Sequence, residues 1–311
     1  MGLIQSRKTR DHHQDTKTPR KKEQRAFFFL GALGALVVRS FLFLAITALP
    51  LSAARPMRVV SQSVGTDELL LALADPGQIA ALSHIARDTR FSPVAAEAEA
   101  FPAIKDSDAE SVLRFRPDLV LAASFTRPET LTLLRRSGVR LVVLDHFESL
   151  EDVYTSLGIL GRELGQEARA QALISRCRTR VDALAARLKG LRPTRVLSAG
   201  SFPFTSGSGT TFQDLCDHAG ALNVAAEAGL KGHAPTPTEK LLTWNVEVLV
   251  ASGEEAGIRE HLSGIPHYRA LPALKAGHVV VVPGPLMSSL SHHRIDGYET
   301  LARALHPERF R

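Results

Sequence analysis

From Arg58 onward, short apolar runs alternate with longer stretches whose apolar residues recur every three or four positions. "RVVSQS" (58–63) reads as a strand, "TDELLLALADP" (66–76) as a helix, "QIAALS" (78–83) as a strand and "AESVLRFRP" (109–117) as a helix. "DLVLAAS" (118–124), the helix "RPETLTLLRRSG" (127–138) and "VRLVVLD" (139–145) continue the series. The pattern restarts with the strand "TRVLSAGS" (194–201) and the helices "TTFQDLCDHAG" (210–220) and "TPTEKLLTWN" (236–245). It closes with the strand "VEVLVASG" (246–253), the helix "PHYRALPALKAG" (266–277) and the strand "HVVVVPG" (278–284). Strands that read as continuous apolar runs between amphipathic helices predict parallel sheets covered on both faces.

The chain also echoes itself. "RVVSQS" is answered by "RVLSAGS" (195–201), and "AESVLRFRPDLVLAAS" (109–124) by "TEKLLTWNVEVLVASG" (238–253). In both of the longer segments a glutamate, Glu110 or Glu239, stands eight residues before an acidic residue, Asp118 or Glu247, that opens an apolar strand. Two α/β lobes of similar plan follow, as suits 311 residues when single cores stop growing near about 250–300. Between them Ile174, Cys177, Val181, Leu184, Leu188 and Leu191 form one stripe at spacings of three and four. That stripe predicts a single connector helix over roughly 166–190. The expected plan is an N-terminal lobe over 55–150, a connector region over 151–193 and a C-terminal lobe over 194–311. A helical connector predicts a cleft that changes little on binding.

Charge changes this picture only at the N-terminus. Nine of the 38 basic and three of the 32 acidic residues lie in 1–54, so the other 257 carry 29 of each. The neutral body excludes a polyanion binder, so no nucleic-acid partner is expected. Basic "RKKEQR", the apolar run that follows and the small residues Ser52, Ala53 and Ala54 make an export signal over 1–54. Arg39 inside the apolar run leaves a retained membrane anchor open as the alternative. Export permits disulfides, but Cys177 and Cys216 fall on different elements and are read as buried thiols.

The run "RVVSQSVGTDELLLALA", "AESVLRFRPDLVLAAS", "SGVRLVVLD", the connector and "FTSGSGTTFQDLCDHAGALNVAAE" resembles the substrate-binding proteins of bacterial importers for vitamin B12, ferric siderophores and haem. The likeness covers essentially 57–310. It implies a class III periplasmic binding protein fold, with two α/β lobes, each with a mostly parallel central sheet, joined by one long connector helix. It further implies a monomeric, non-enzymatic protein with no cofactor of its own, which carries a metal chelate to a membrane permease driven by a separate ATPase subunit. In that family a glutamate on each lobe docks onto the permease, and Glu110 and Glu239 match those positions. The repeat independently places one carboxylate at the same point of each lobe, although both also suit an N-terminal helical turn, where the dipole favours acid.

Ligands of open α/β sheets collect outside the carboxyl ends of the strands. In the first lobe those ends nominate Gln62, Ser63, His84, Arg87, Phe91, Phe125 and His146. In the second they nominate Phe202, Phe204 and His233, then His292, His293 and Arg294 in "SSLSHHRIDGYE" (288–299). Aromatic and arginine side chains there suit a large, flat or anionic chelate. His84, His146, His233 and His292 could together supply a bare transition-metal site, but nothing in their spacing demands it, and no metal site is expected. Tyr154, Tyr268 and Tyr298 lie at no clear strand end, so a haem would have to use a histidine. An enzyme would show a nucleophile with its base, yet the chain has no G-x-S-x-G and no H-E-x-x-H. "TSGSGTT" lacks the ending of a phosphate loop and is expected to be a glycine turn with Thr210 or Thr211 capping the next helix.

Overall fold

In this computed structural model, residues 55–200, 204–253 and 255–311 are described. The export signal expected over 1–54 lies outside them. The first lobe is built from β1 (Val59–Ser61), α1 (Val64–Leu73), β2 (Ile79–Ala81), α2 (Ala109–Leu113), β3 (Leu119–Ala123), α3 (Pro128–Arg136) and β4 (Arg140–Leu144). Its strands are parallel in the order β2-β1-β3-β4. Two helices follow, α4 (Leu150–Leu164) and α5 (Glu167–Leu188), and α5 is the expected connector. The turn between them is made at Gly165, whose φ of +66° is the left-handed conformation that favours glycine at a helix C-terminus.

The second lobe contains β5 (Thr194–Ala199), β6 (Phe204–Ser206), α6 (Thr211–Ala219), β7 (Ala221–Asn223), β8 (His233–Pro235), β9 (Val248–Ser252), β10 (Val279–Val282) and α7 (Arg294–Leu305). Its four parallel strands run β7-β5-β9-β10. This is the order of the first lobe with β5 in the place of β1, so the repeat in the sequence is a repeat in topology. The same local devices recur as well. Asp118, at the foot of β3, accepts hydrogen bonds from the backbone N–H groups of Met57 and Arg58. Glu247, at the foot of β9, accepts from the N–H of Arg195. Arg58 donates to the carbonyls of Phe115 and Arg116, as Arg195 does to those of Trp244 and Asn245. Among the described residues, Arg116 and Asn245 are also the non-glycine residues that take positive φ, at 47° and 49°.

Alternation along each strand sorts the core into layers. Val59, Leu119 and Leu121 pack inward with Tyr154, Leu157 and Cys177 of α4 and α5, and with Val196, Val250 and Tyr298 of the second lobe. Val60 and Val120 face the opposite way, onto Val112 and Leu134. Leu197, Leu249 and Ala251 do the same onto Leu262 and Tyr268. The inner faces of both sheets and the connector therefore share one continuous core.

Two expectations need correction. The helix expected over 236–245 is only a 3-10 turn at Leu241–Trp244. The helix expected over 266–277 is two short ones, Pro266–Arg269 and Pro272–Lys275, because Pro272 has no N–H to continue the first. The antiparallel pair β6–β8 and the three-residue β7 were not anticipated, being too short to show a period.

Candidate functional site

The carboxyl ends of β1 and β3, the segment after β2 and the segment after β10 converge on a cavity of about 390 Å³. Ser63 follows β1 and caps α1 by accepting from the N–H of Thr66. Gln62, 4% exposed, donates through Nε2 to the Ser107 carbonyl at 2.6 Å and accepts at Oε1 from the Thr126 hydroxyl at 2.7 Å. Its amide is thus spent on tying three loops into one wall. Two phenylalanines give the cavity its apolar character, Phe91 at 52% and Phe125 at 63% exposure. Arg90 lies over the Phe91 ring, 5.4 Å from its centroid, and Phe125 stands 5.9 Å from Phe147. His84 and Arg127 also line the cavity, and neither side chain has a hydrogen-bond or ion-pair partner among the described residues. The second lobe contributes Pro285, Ser288 and Leu290.

Gln62, Ser63, His84, Phe91 and Phe125 therefore share one wall. The other nominated residues stand elsewhere. Arg87 turns back on its own lobe, donating to the carbonyls of Ala98 and Phe101 beside Glu99. His146 is exposed beside Asp145. Phe204 and His233 belong to the β6–β8 pair, where His233 Nδ1 lies 3.2 Å from the Ser206 hydroxyl. Phe202 lies outside the described residues.

Arg294 needs the largest correction. It is 3% exposed and donates to Asp214, to the Phe147 carbonyl and twice to the Ser289 carbonyl. Asp214 also accepts from the Leu150 N–H and the Tyr298 hydroxyl. This guanidinium is consumed in tying α6 and the segment after β10 to the loop that follows β4, and it is not part of the cavity lining. The His292 and His293 rings lie with centroids 4.2 Å apart and planes tilted by 37°, outside the cavity lining. His293 Nδ1 faces Asp296 at 3.4 Å, and that contact holds the Asp296 carboxyl below its ordinary range. Burial, then the neighbouring His293, pushes the His292 imidazole down to about 4, and its buried Nδ1 has no partner. Among the described residues no group of three or more His, Cys, Asp or Glu able to hold an ion is found, the four histidines weighed for a bare metal included.

The sequence reading missed Glu68, Ser107, Pro285, Ser288 and Leu290. Glu68 and its neighbour Asp67 sit mid-helix on α1, where a strand-end rule does not look. Burial pushes the Asp67 carboxyl up to about 7, against the hydrogen bonds it accepts from Ser83. The signal that could have found Leu290 is its alternation with polar Ser289 and Ser291 just beyond β10.

Two parallel α/β lobes, joined by helix and enclosing a cavity at the carboxyl ends of their strands, define a helix-linked two-lobed binding-protein fold. The chain belongs to the periplasmic binding protein family, whose model matches residues 59–286. Among curated relatives, a cobalamin-binding protein of Halobacterium salinarum is 26% identical over 215 residues, covering 68% of this chain and 57% of the relative. The chain thus matches little more than half the length of that relative. An uncharacterized ABC transporter substrate-binding lipoprotein of Bacillus subtilis is 23% identical, covering 65% and 66%. Among solved structures, a periplasmic heme-binding protein from Roseiflexus superposes with a TM-score of 0.71 at 21% identity, covering 81% of this chain and 98% of that one. A periplasmic vitamin B12 binding protein of Vibrio cholerae gives 0.66 at 18%, covering 83% and 99%. These structures establish the fold, and the family and its neighbours are binding proteins rather than enzymes. No helix among the described residues is long and apolar enough to cross a membrane.

Proposed function

We propose that this protein is the substrate-binding component of an ABC importer, capturing a metal chelate, a ferric siderophore or a corrinoid such as vitamin B12, in the periplasm and delivering it to a membrane permease. The observation that carries this reading is the cavity wall. Exposed Phe91 and Phe125 offer flat apolar area to an organic ligand, while the unpartnered His84 and Arg127 are free to meet its polar periphery. The cobalamin- and heme-binding relatives support the same class of cargo. His84 favours haem as the second reading, since it is the histidine of the cavity wall and has no protein partner among the described residues. Neither reading gives the protein a catalytic step or a resident cofactor.

Docking onto the permease falls to Glu110 and Glu239. The first opens α2 in its first turn and pairs with Arg114 at 2.8 Å. The second is exposed just before the 3-10 turn at Leu241–Trp244. They occupy matching points of two lobes with the same strand order, which suits a partner with two similar halves. The test is to purify the protein from cells supplied with iron and cobalt, and to record the absorbance spectrum and mass of what accompanies it. A Soret band identifies haem and a corrin spectrum a cobalamin. Glu110→Ala with Glu239→Ala should leave chelate affinity unchanged and abolish delivery; lost affinity would show that these residues serve the cavity instead.

A further inference from the structure

Helix α1 turns one face toward the second lobe. Gly65 and Glu68 are three positions apart and so share a side of the helix. A Cβ on Gly65 would stand 2.9 Å from the Cβ of Leu290, inside any normal contact, so the absence of a side chain is what lets Leu290 close against the first turn. One turn on, Glu68 borders the cavity yet is 2% exposed. Its Oε2 accepts hydrogen bonds from the Ser289 hydroxyl at 2.7 Å and from the Ser291 hydroxyl. Both serines are buried.

The segment over 288–291 alternates. Ser288 and Leu290 line the cavity, while Ser289 and Ser291 face Glu68. The segment is a bent connection between the short helix Gly284–Met287 and α7 rather than a strand, and a slip of one residue along it would exchange the two sets. Such a slip would press Leu290 onto the carboxylate and strip it of both donors, leaving a buried polar group without partners. Burial raises the Glu68 carboxyl above its ordinary range while the two serines pull it down, so the hydroxyls are what make an acid tolerable there.

We infer that Glu68 is a positioning residue for ligand capture: together with Gly65 it fixes, from the first lobe, the register of the segment that forms the second lobe's wall of the cleft. The inference rests on the reading of this cavity as the ligand site. Glu68 acts through Ser288 and Leu290, which it holds in place. What the two hydroxyls require is an acceptor oxygen, which glutamine supplies and alanine does not.

The test compares the wild-type protein with Glu68→Gln, Glu68→Ala and the double variant Ser289→Ala/Ser291→Ala. One readout is amide hydrogen exchange over 286–293 in the ligand-free protein; the other is titration with cyanocobalamin, haemin and a ferric hydroxamate. Glu68→Ala and the double variant should speed exchange over 286–293 by about tenfold or more, with β3 and α5 still protected. They should also weaken whichever probe the wild type binds by about tenfold or more. Glu68→Gln should restore both readouts to within about threefold of wild type, which is under about 0.7 kcal/mol. Exchange over 286–293 unchanged in Glu68→Ala and in the double variant overturns the inference, as does a Glu68→Gln protein as impaired as Glu68→Ala. Where Glu68→Ala does not fold, the double variant decides. Failure of the wild type to bind any of the three probes counts against the ligand reading alone, because the exchange readout still decides whether Glu68 seats the segment.

Discussion

The two lobes have the same strand order and the same acid-and-arginine brace at the foot of their strands, yet they serve the cavity unequally. The first lobe supplies most of the wall directly from its strand ends, through Gln62, Ser63, Phe125 and the segment carrying His84 and Phe91. Among the described residues, the second lobe supplies only Pro285, Ser288 and Leu290, all beyond its last strand. Its other strand-end residues go elsewhere. The β6–β8 pair carries Phe204 and His233 out of the lining, and Arg294 is spent on Asp214 and on the Phe147 carbonyl of the first lobe. The shared strand order thus sets the frame, while the segments that follow each strand decide which lobe lines the cavity.

This contrast can be broken in several places. The largest effect is expected where the second lobe has committed its arginine to the interior. Arg294→Ala leaves Asp214 as a buried charge short of its main partner and should cost about 3–5 kcal/mol in urea unfolding. A loss below about 1 kcal/mol would mean that the guanidinium is not committed to the fold and is free for ligand. Next come the aromatic residues of the first-lobe wall. Phe125→Ala should weaken chelate binding by about tenfold, some 1.4 kcal/mol, with unfolding free energy moved by no more than about 0.5 kcal/mol, as for exposed positions. Two opposed pH slopes, one from each lobe, nearly cancel in the wild type. Folded Asp67, raised to about 7, holds a proton that the unfolded chain sheds near 3.8, so its contribution to stability falls as pH rises through that window. Folded His292, lowered to about 4, lacks a proton that the unfolded chain binds below 6.5, so its contribution rises with pH between those values. Unfolding free energies measured from pH 4 to 6.5 should therefore rise with pH in Asp67→Asn and fall in His292→Asn, with the wild type flatter than either. The smallest expected effect is at the far wall. Phe204→Ala and His233→Ala should change chelate affinity by less than about twofold, below roughly 0.4 kcal/mol, and a larger loss would restore the second lobe to the site.

The frame was legible because it is written in periodicity. Near-continuous apolar strands, helices with a stripe, the echo of 109–124 in 238–253 and the connector stripe from Ile174 to Leu188 each depend on residues close in sequence. The three-residue β7 and the β6–β8 pair left no such trace, and Pro272 divides a helix whose apolar spacing alone reads as continuous. At the site, the strand-end rule found Gln62, Ser63 and Phe125 because each directly follows β1 or β3. It failed for Arg294, because whether an arginine faces a ligand or a buried aspartate depends on Asp214, 80 positions away, and on the Phe147 carbonyl, 147 positions away. Glu68 was missed for the same reason, since the serines that explain it lie 221 and 223 residues further on.

The central claim, that the first-lobe wall captures an organic metal chelate, is tested most directly by titrating the protein with cyanocobalamin, haemin and a panel of ferric siderophores and following absorbance and thermal unfolding. The account predicts saturable binding of one of them with a Kd of about 1 µM or tighter, near −8 kcal/mol, weakened in Phe125→Ala and preserved in Phe204→Ala. Folded protein that binds none of these chelates, or that takes up a bare metal ion instead, would contradict it.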